Sequence, residues 1–189
     1  KDKGISLDLT KVGMATLIAY DQQGHTATAM LKIDVGELAT LQIEGETPKI
    51  PIGTRTVTPD MELVFYSRGY DADNNLSGEE VANWSVIGDI GVLSTITGTS
   101  VIWTPKKTGE GIIMLDDGQG HSDLTGTITV TPGITVALKI EDAKGEEICN
   151  PVVSADEDAY WLYAQGYDCA ANSTGPVEVE WSLMGEIGH

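Results

Sequence analysis

The chain has 189 residues, of which 41% are hydrophobic, and its 29 acidic residues against 11 basic ones give a formal net charge of -18. This charge repels phosphate backbones and anionic lipid headgroups, so we expect no nucleic-acid partner. No apolar stretch approaches the roughly 20 residues that a spanning helix needs, and we therefore expect no membrane insertion of this segment.

Short strands joined by tight turns are predicted along the chain, because Gly, Thr, Val and Ile are abundant and helical periodicity is absent. Alternating polar and apolar residues over 62–67 and 125–130 indicate strands with one face toward a core and one toward solvent. The pattern therefore predicts an all-β fold. In chain order, the strands predicted in the middle of the chain are residues 39–44, 62–69, 80–87, 100–104, 111–115 and 124–130.

An internal repeat sets the organisation of the chain. The segment that begins at Leu41 aligns without a gap on the segment that begins at Leu138, at a spacing of 97 residues, with 14 identical residues in 52 positions. A second match aligns residues 11–25 with residues 107–121, and both segments end in an Asp-x-x-Gly-His turn. Self-similarity at a fixed period is typical of proteins built from repeated modules.

The two matches divide the chain into one complete module and two partial ones. Residues 1–37 are predicted to be the C-terminal part of a module, residues 38–134 a complete module, and residues 135–189 the N-terminal part of another. The partial modules are complementary, since an order in which His189 precedes Lys1 reads as a whole module. Three explanations stay open: a two-module period of a longer chain, half-modules completed between subunits by strand exchange, and a fragment.

Several motifs recur within the chain. Gly-Tyr-Asp ends at Asp71 and at Asp168, Trp-Ser begins at Trp84 and at Trp181, and each Trp-Ser is followed by Gly-Asp/Glu-Ile-Gly. In these motifs the whole chain resembles the bacterial immunoglobulin-like tandem repeat domains of adhesins, intimin-like and other surface proteins. The resemblance implies tandem immunoglobulin-like β-sandwich modules with a period of about 97 residues. It also implies an extracellular or cell-surface location.

Four aromatic residues are predicted to pack in the modules. Trp84 and Trp181 lie in the middle of predicted strands and are expected to be the buried indoles around which sandwich cores pack, rather than ligand platforms. Tyr70 and Tyr167 close the preceding strand and are expected to pack against a neighbouring loop.

The sequence offers no catalytic residues, so we expect no enzyme and no cofactor. The histidines are His25, His121 and His189, and two of them occupy the same turn of the repeat without a Ser or Cys nucleophile beside them. A role in the turn is the simpler interpretation. Paired carboxylates occur throughout so acidic a chain and therefore do not indicate a glycosidase.

Carboxylates in two turns form weak candidates for Ca²⁺, which prefers oxygen ligands. Asp71, Asp73 and Asn75 supply oxygen atoms at alternate positions, but the turn lacks the glycine and the final glutamate of a full calcium loop. Asp116 and Asp117 form the second candidate, with Glu44 or Glu141 as further ligands at a module junction. A polar turn is the alternative interpretation in both cases.

The sequence also contains candidates for two covalent modifications. Asn75 and Asn172 both begin an Asn-x-Ser/Thr acceptor for N-glycosylation, at the same position of the repeat. Cys149 and Cys169 lie 20 residues apart and are candidates for one disulfide, with two separate thiols as the alternative.

These observations favour a structural role: modules joined end to end in a filament, stalk or surface coat. The expected partners are neighbouring copies of the same chain, head to tail and laterally through exposed strand edges. The alternative is an adhesin or carbohydrate-binding accessory module, whose ligands would be surface glycans. A row of aromatic side chains facing solvent would favour this alternative.

Overall fold

The computed structural model describes residues 4–154 and 159–185, and this part of the chain is all-β. No helix among these residues is long and apolar enough to cross a membrane. The strands of the described residues are β1 (Gly13–Tyr20), β2 (Thr26–Ile33), β3 (Thr40–Glu44), β4 (Arg55–Val57), β5 (Leu63–Tyr70), β6 (Leu76–Glu79), β7 (Ala82–Ile87), β8 (Gly91–Leu93), β9 (Thr97–Gly98), β10 (Ser100–Pro105), β11 (Gly109–Asp116), β12 (Ser122–Leu124), β13 (Ile128–Val130), β14 (Ala137–Glu141), β15 (Tyr163–Tyr167) and β16 (Ser173–Pro176).

Strands β1 and β2 form an antiparallel hairpin, called here the N-terminal hairpin. Its register pairs Gly13 with Ile33 and Tyr20 with Thr26. Among the described residues, no further strand pairs with either β1 or β2. Most of its side chains are exposed as a result, including Met14, Ile18 and Met30.

Strands β3 to β13 form the central unit, which contains two sheets. The first has the strand order β3-β5-β10-β8 with β6 also on β5, and the second has the order β4-β13-β11-β7-β9 with β12 also on β11. All pairs are antiparallel except β13 with β4, which is parallel. Because β3 and β4 belong to different sheets, the chain crosses from one sheet to the other between them.

One hydrophobic core lies between these two sheets, as in a β-sandwich. Phe65 and Trp103 of the first sheet are fully buried, with stacked rings whose centroids are 6.3 Å apart. Trp84 of the second sheet is also buried, and its indole N–H donates to the carbonyl of Gly98 at 2.9 Å. Both sheets contribute to the cluster, which consists of Leu41, Ile43, Ile52, Val57, Phe65, Ala82, Trp84, Ile90, Val101, Trp103, Ile113, Leu115, Ile128 and Val130.

Five of the six predicted strands are confirmed, with ends that differ by at most two residues. The sequence did not predict the short strands β4, β6, β8 and β9. These strands have two to four residues, which is too short for a polar–apolar alternation to stand out.

The prediction of a single strand over residues 124–130 is wrong, because the structure divides it into β12 and β13. Both strands pair with β11, and between them the Gly126 N–H donates to the carbonyl of Ile52 at 2.8 Å, in the segment that leads into β4. A Cβ atom on Gly126 would lie 2.2 Å from the backbone nitrogen of Thr54, and only glycine fits this close approach.

Strands β14 to β16 form a three-stranded antiparallel sheet with the order β14-β15-β16, called here the C-terminal sheet. Its pairing repeats that of β3, β5 and β6: Leu138 lies opposite Gly166, as Leu41 lies opposite Gly69. Both sheets also carry a register shift directly after this glycine, between Gly69 and Tyr70 and between Gly166 and Tyr167. The repeat found in the sequence is therefore visible in the strand pairing.

Candidate functional site: two matching joints

Five hairpin turns in the described residues share one design. Each turn begins with an aspartate, whose side chain accepts hydrogen bonds from the backbone N–H groups two and four positions later. In the turn that begins at Asp71, the donors are Asp73 at 3.0 Å and Asn75 at 2.8 Å. The fourth residue has a positive φ, as expected of a short hairpin loop that ends in a left-handed residue. The turns are residues 21–25, 71–75, 117–121, 142–146 and 168–172.

Histidine is the fifth residue of two of these turns and binds the aspartate of its own turn. His25 Nδ1 lies 2.5 Å from Asp21 Oδ2, and His121 Nδ1 lies 2.6 Å from Asp117 Oδ2. The hydrogen bond from His121 lowers the pKa of Asp117 to about 2. Both histidines therefore stabilise their own turn through this contact, as predicted.

The Asp71 turn also binds the chain that precedes the central unit, and these contacts form the first joint. The Gly36 N–H donates to Asp71 Oδ2 at 3.0 Å. The side-chain amide of Asn75 donates to the carbonyl of Thr10 at 3.2 Å. The turn thus holds both the segment before β1 and the segment after β2, which limits how far the N-terminal hairpin can swing.

The Asp168 turn makes the same contacts on the other side of the central unit, and these form the second joint. The Gly133 N–H donates to Asp168 Oδ2 at 2.9 Å. The Asn172 amide donates to the carbonyl of Lys106 at 2.7 Å, and its oxygen accepts from the Thr108 N–H at 3.1 Å. Two joints with the same donors and acceptors therefore lie one repeat period apart in the chain.

Asp60 adds a contact at the second joint. Its Oδ2 accepts from the Ile134 N–H at 3.2 Å, and its Oδ1 lies 3.6 Å from the Cys169 thiol. The joint is thus fixed from both sides of the linker that enters β14.

Both joint aspartates carry a lowered pKa. The hydrogen bond from the Asn75 side chain, followed by that from the Gly36 N–H, lowers the pKa of Asp71 to about 2. Burial raises the pKa of Asp168, but hydrogen bonds from the Gly133 N–H and from Asn172 outweigh it, and the net pKa is lowered. Both carboxylates are therefore charged at neutral pH, which strengthens the hydrogen bonds that they accept.

The predicted calcium ligands are placed for other roles. Within the described residues, no group of three or more His, Cys, Asp or Glu side chains is arranged to hold a metal ion. The Asp71 and Asp117 carboxylates already accept hydrogen bonds from backbone N–H groups. Asp116 accepts a hydrogen bond from the Gly118 N–H at 2.6 Å. Asp73 is exposed, while Glu44 is buried inside the central unit. The carboxylates of these weak calcium candidates thus accept hydrogen bonds from N–H groups of their own turns.

The glycosylation prediction conflicts with the place of Asn75 and Asn172 in the joints. Each side-chain nitrogen already donates to a backbone carbonyl of the neighbouring unit and to the aspartate of its own turn. A glycan on that nitrogen would occupy the space of the joint. The shared position of the two acceptor sequences is explained by the shared joint contact.

The structure places the four predicted aromatic residues differently in the two halves of the repeat. Trp84 and Tyr70 are buried in the central unit, as predicted. Tyr167 is half-buried, and its hydroxyl donates to Glu141. Trp181, which was expected to be buried, is 53% exposed and lies after β16, outside the described strands.

The predicted disulfide is wrong for this structure, in which Cys149 and Cys169 are both free and exposed. Cys149 follows Glu147, which pairs with Glu141 at the end of β14. Cys169 follows the end of β15 that pairs with the start of β14. The Cys169 thiol lies 3.6 Å from Asp60 Oδ1 of the central unit.

A buried polar cluster beside the first joint was not predicted from the sequence. Glu44 is fully buried and accepts hydrogen bonds from the Tyr70 hydroxyl and the Lys49 N–H, both at 2.8 Å. Its other oxygen lies 3.1 Å from Arg68 Nη1. Burial, together with the bond to Glu44, raises the pKa of Tyr70 to about 12, so the hydroxyl stays protonated and continues to donate.

The joint partners could have been found from the sequence, because two of them are glycines that recur at the repeat spacing. Gly36 and Gly133 are identical residues one period apart, and both lie just after the last strand of a repeat. Their partners in the turns are also identical in the two repeats. Thr10 and Lys106 differ, and they could not be found this way because they contribute backbone carbonyls.

Comparisons with known proteins give limited information about this chain. No protein-family model matches the sequence, and a search of curated proteins finds no match. Among solved structures, the chain is similar to surface layer protein SbsC, domains 4–9, with a TM-score of 0.36 and 16% sequence identity. The match covers 88% of this chain and 25% of that chain, so this chain spans about a quarter of the length of that structure. A likeness at this level carries no argument about what the chain does.

Proposed function

We propose that this chain is a structural segment of an extracellular or cell-surface protein, in which immunoglobulin-like modules follow one another end to end in a filament, stalk or coat. The observation that carries this proposal is the occurrence of two joints with matching hydrogen bonds. A protein that only needs its domains tethered does not require such joints, since a flexible linker suffices.

The joints support a spacer because each turn holds the chain of the preceding unit at two separate points. At the second joint, the turn of the following unit holds Gly133 in the linker and Lys106 in the body of the preceding unit. A hinge with contacts at two separate points resists bending better than one held at a single point. The net charge of -18 is also compatible with a crowded, soluble array.

A glycan-binding module remains the alternative, and two exposed tryptophans that flank β15 and β16 in the sequence are the observation in its favour. Trp161 and Trp181 are both largely exposed. Their counterparts one period earlier are Val64 and the buried Trp84, however, so the exposed surface is not a feature of every repeat. Binding to a glycan array that is lost in Trp161→Ala would support this alternative.

Small-angle X-ray scattering of the folded chain tests the proposed spacer. Asp168→Ala and Asn172→Ala remove side chains of the second joint, and we expect both variants to show a broader distribution of interatomic distances and greater flexibility than the parent chain. The matched control is Asp142→Ala, because Asp142 heads a turn of the same design that makes no joint contact. Scattering from the joint variants that is indistinguishable from that of the control would contradict the proposal.

A further inference from the structure

Lys49 has a backbone conformation that residues with a side chain rarely adopt. Its φ is 64°, in the left-handed region that favours glycine. Such a conformation persists only where the surrounding contacts hold it in place. Here the Lys49 N–H donates to Glu44 Oε1 at 2.8 Å and to the Tyr70 hydroxyl at 3.1 Å. The residue is therefore held by the buried polar cluster of the central unit, which consists of Glu44, Arg68 and Tyr70.

The side chain of Lys49 reaches from this cluster to the turn of the first joint. Its Nζ donates to the carbonyl of Asn74 at 2.8 Å. The same ammonium group lies 5.8 Å from the centroid of the Tyr70 ring, within the range of a cation–π interaction. Asn74 belongs to the turn in which Asp71 and Asn75 hold the preceding chain. Lys49 thus links the buried polar cluster to the turn that forms the first joint.

The loop that carries Lys49 is itself fixed to the cluster. The Arg68 guanidinium donates to the carbonyl of Gly45 at 2.8 Å and to that of Glu46 at 3.1 Å. Glu44 and Arg68 are both buried, so a movement of residues 45–49 away from them would leave their charges without partners. The loop is therefore a firm support for the Lys49 side chain.

The second joint has different residues at the positions that form this link. By the repeat, Glu146 occupies the position of Lys49, and Gln165 occupies that of Arg68. A carboxylate cannot donate to a backbone carbonyl of the turn as the Lys49 ammonium does. The left-handed residue of this loop is Gly145, with a φ of 82°, one position earlier in the repeat than Lys49. Strands β14 and β15 pair as β3 and β5 do, so the difference does not come from the strand pairing.

We infer that Lys49 is a positioning residue that fixes the turn of the first joint to the buried polar cluster, so that the first joint loosens when this link is removed and the second joint does not. This inference rests on the proposed function, since it names what sets one of the two joints. The joints make matching hydrogen bonds between units but differ in what holds the turn. At the first joint, bending of the preceding chain is therefore coupled to the integrity of the central unit.

Amide hydrogen exchange of the full chain, measured by NMR, tests this inference. The Gly36 and Gly133 N–H groups report on the first and the second joint, because they donate to the two joint aspartates. Lys49→Met removes the amine at an exposed position and keeps most of the stem. We expect exchange at Gly36 to become at least about threefold faster, the effect of losing one ordinary hydrogen bond, and exchange at Gly133 to stay unchanged.

The matched control is Lys139→Met. Lys139 Nζ lies 4.9 Å from the centroid of the Tyr167 ring, the counterpart of Tyr70, but it donates to Glu147 rather than to a turn carbonyl. We expect this variant to leave the exchange of both glycine amides unchanged.

A second pair of variants removes the same hydroxyl group from each repeat. Tyr70→Phe deletes the hydroxyl that contacts both Glu44 and the Lys49 N–H, and it should also speed exchange at Gly36. Tyr167→Phe deletes the hydroxyl that donates to Glu141, and exchange at Gly133 should stay unchanged.

Unchanged exchange at Gly36 in Lys49→Met and Tyr70→Phe, or equal acceleration at both glycines in Lys49→Met, would overturn the inference. If small-angle scattering still shows the second-joint variants to be more flexible than their control, the proposed function stands without it. Unprotected amides at both glycines in the parent chain would instead overturn the inference and the proposed function together, because neither joint would then be formed.

Discussion

The buried Glu44–Arg68 ion pair is expected to make a large contribution to the free energy of unfolding. Glu44→Gln keeps the size of the side chain but removes the charge that faces the Arg68 guanidinium at 3.1 Å. Breaking a buried ion pair from one side costs about 3–5 kcal/mol, because the remaining charge is left without its partner in a poorly solvated site. Arg68 retains the carbonyls of Gly45 and Glu46 as acceptors, so we expect a loss near the lower limit, about 3 kcal/mol.

Urea denaturation followed by tryptophan fluorescence measures this loss, since Trp84 and Trp103 report directly on the buried core of the central unit. The control is Asp89→Asn, which breaks the solvent-exposed pair of Asp89 with Lys107 and should change the free energy of unfolding far less. Equal losses in the two variants, or a loss below about 1 kcal/mol in Glu44→Gln, would refute the reasoning that burial decides the energy of the pair.

Three further predictions follow from local geometry. Gly91→Ala places a Cβ atom 2.4 Å from the Thr104 carbonyl oxygen and should lower the free energy of unfolding by about 1–3 kcal/mol, whereas Gly53→Ala, at an open position, should change it little; equal effects in urea denaturation would be inconsistent with the clash. Ala171 has a φ of 64°, and the equivalent residue in the Asp71 turn is Asn74, so Ala171→Asn should slow amide hydrogen exchange across β15 and β16, with faster exchange as the contrary result. The lowered pKa of Asp71 means that its stabilising contribution is complete above the ordinary value of 3.8 and is lost as the pH falls toward about 2. The NMR signal of the Gly36 amide should therefore titrate with a midpoint near 2; a midpoint near 3.8 would show that the joint bond is not formed.

Much of the fold of the central unit could be predicted from local sequence signals. Alternation over residues 62–67 marks one face of β5, and the resulting strand is correct to within one residue. The Asp-x-x-Gly turns were also predictable, because Asp and Gly fit the hydrogen-bonding and left-handed positions of a short hairpin loop. The short strands β4, β6, β8 and β9 were not predicted, because their extended conformation depends on pairing with neighbouring strands, as β4 pairs with β13.

The candidate site was identified only in part. The motifs Gly-Tyr-Asp and Asn-x-Ser/Thr indicate the turns at Asp71 and Asp168, for which the sequence leaves a polar turn, metal binding and glycosylation open as interpretations. The same oxygen and amide groups instead bind backbone groups of the adjacent unit. Side-chain chemistry alone cannot distinguish these roles, because a carboxylate accepts an N–H group as readily as it binds a cation.

Residue order alone indicates an all-β chain with two segments that match at a spacing of 97 residues, because strand alternation, turn residues and self-similarity can be read from one sequence. Which side chains are buried depends on the fold. Trp84 and Trp181 occupy the same position of the repeat, yet one is enclosed and the other exposed. The physical reason is that burial depends on the strands that cover a residue, and those strands come from distant parts of the chain.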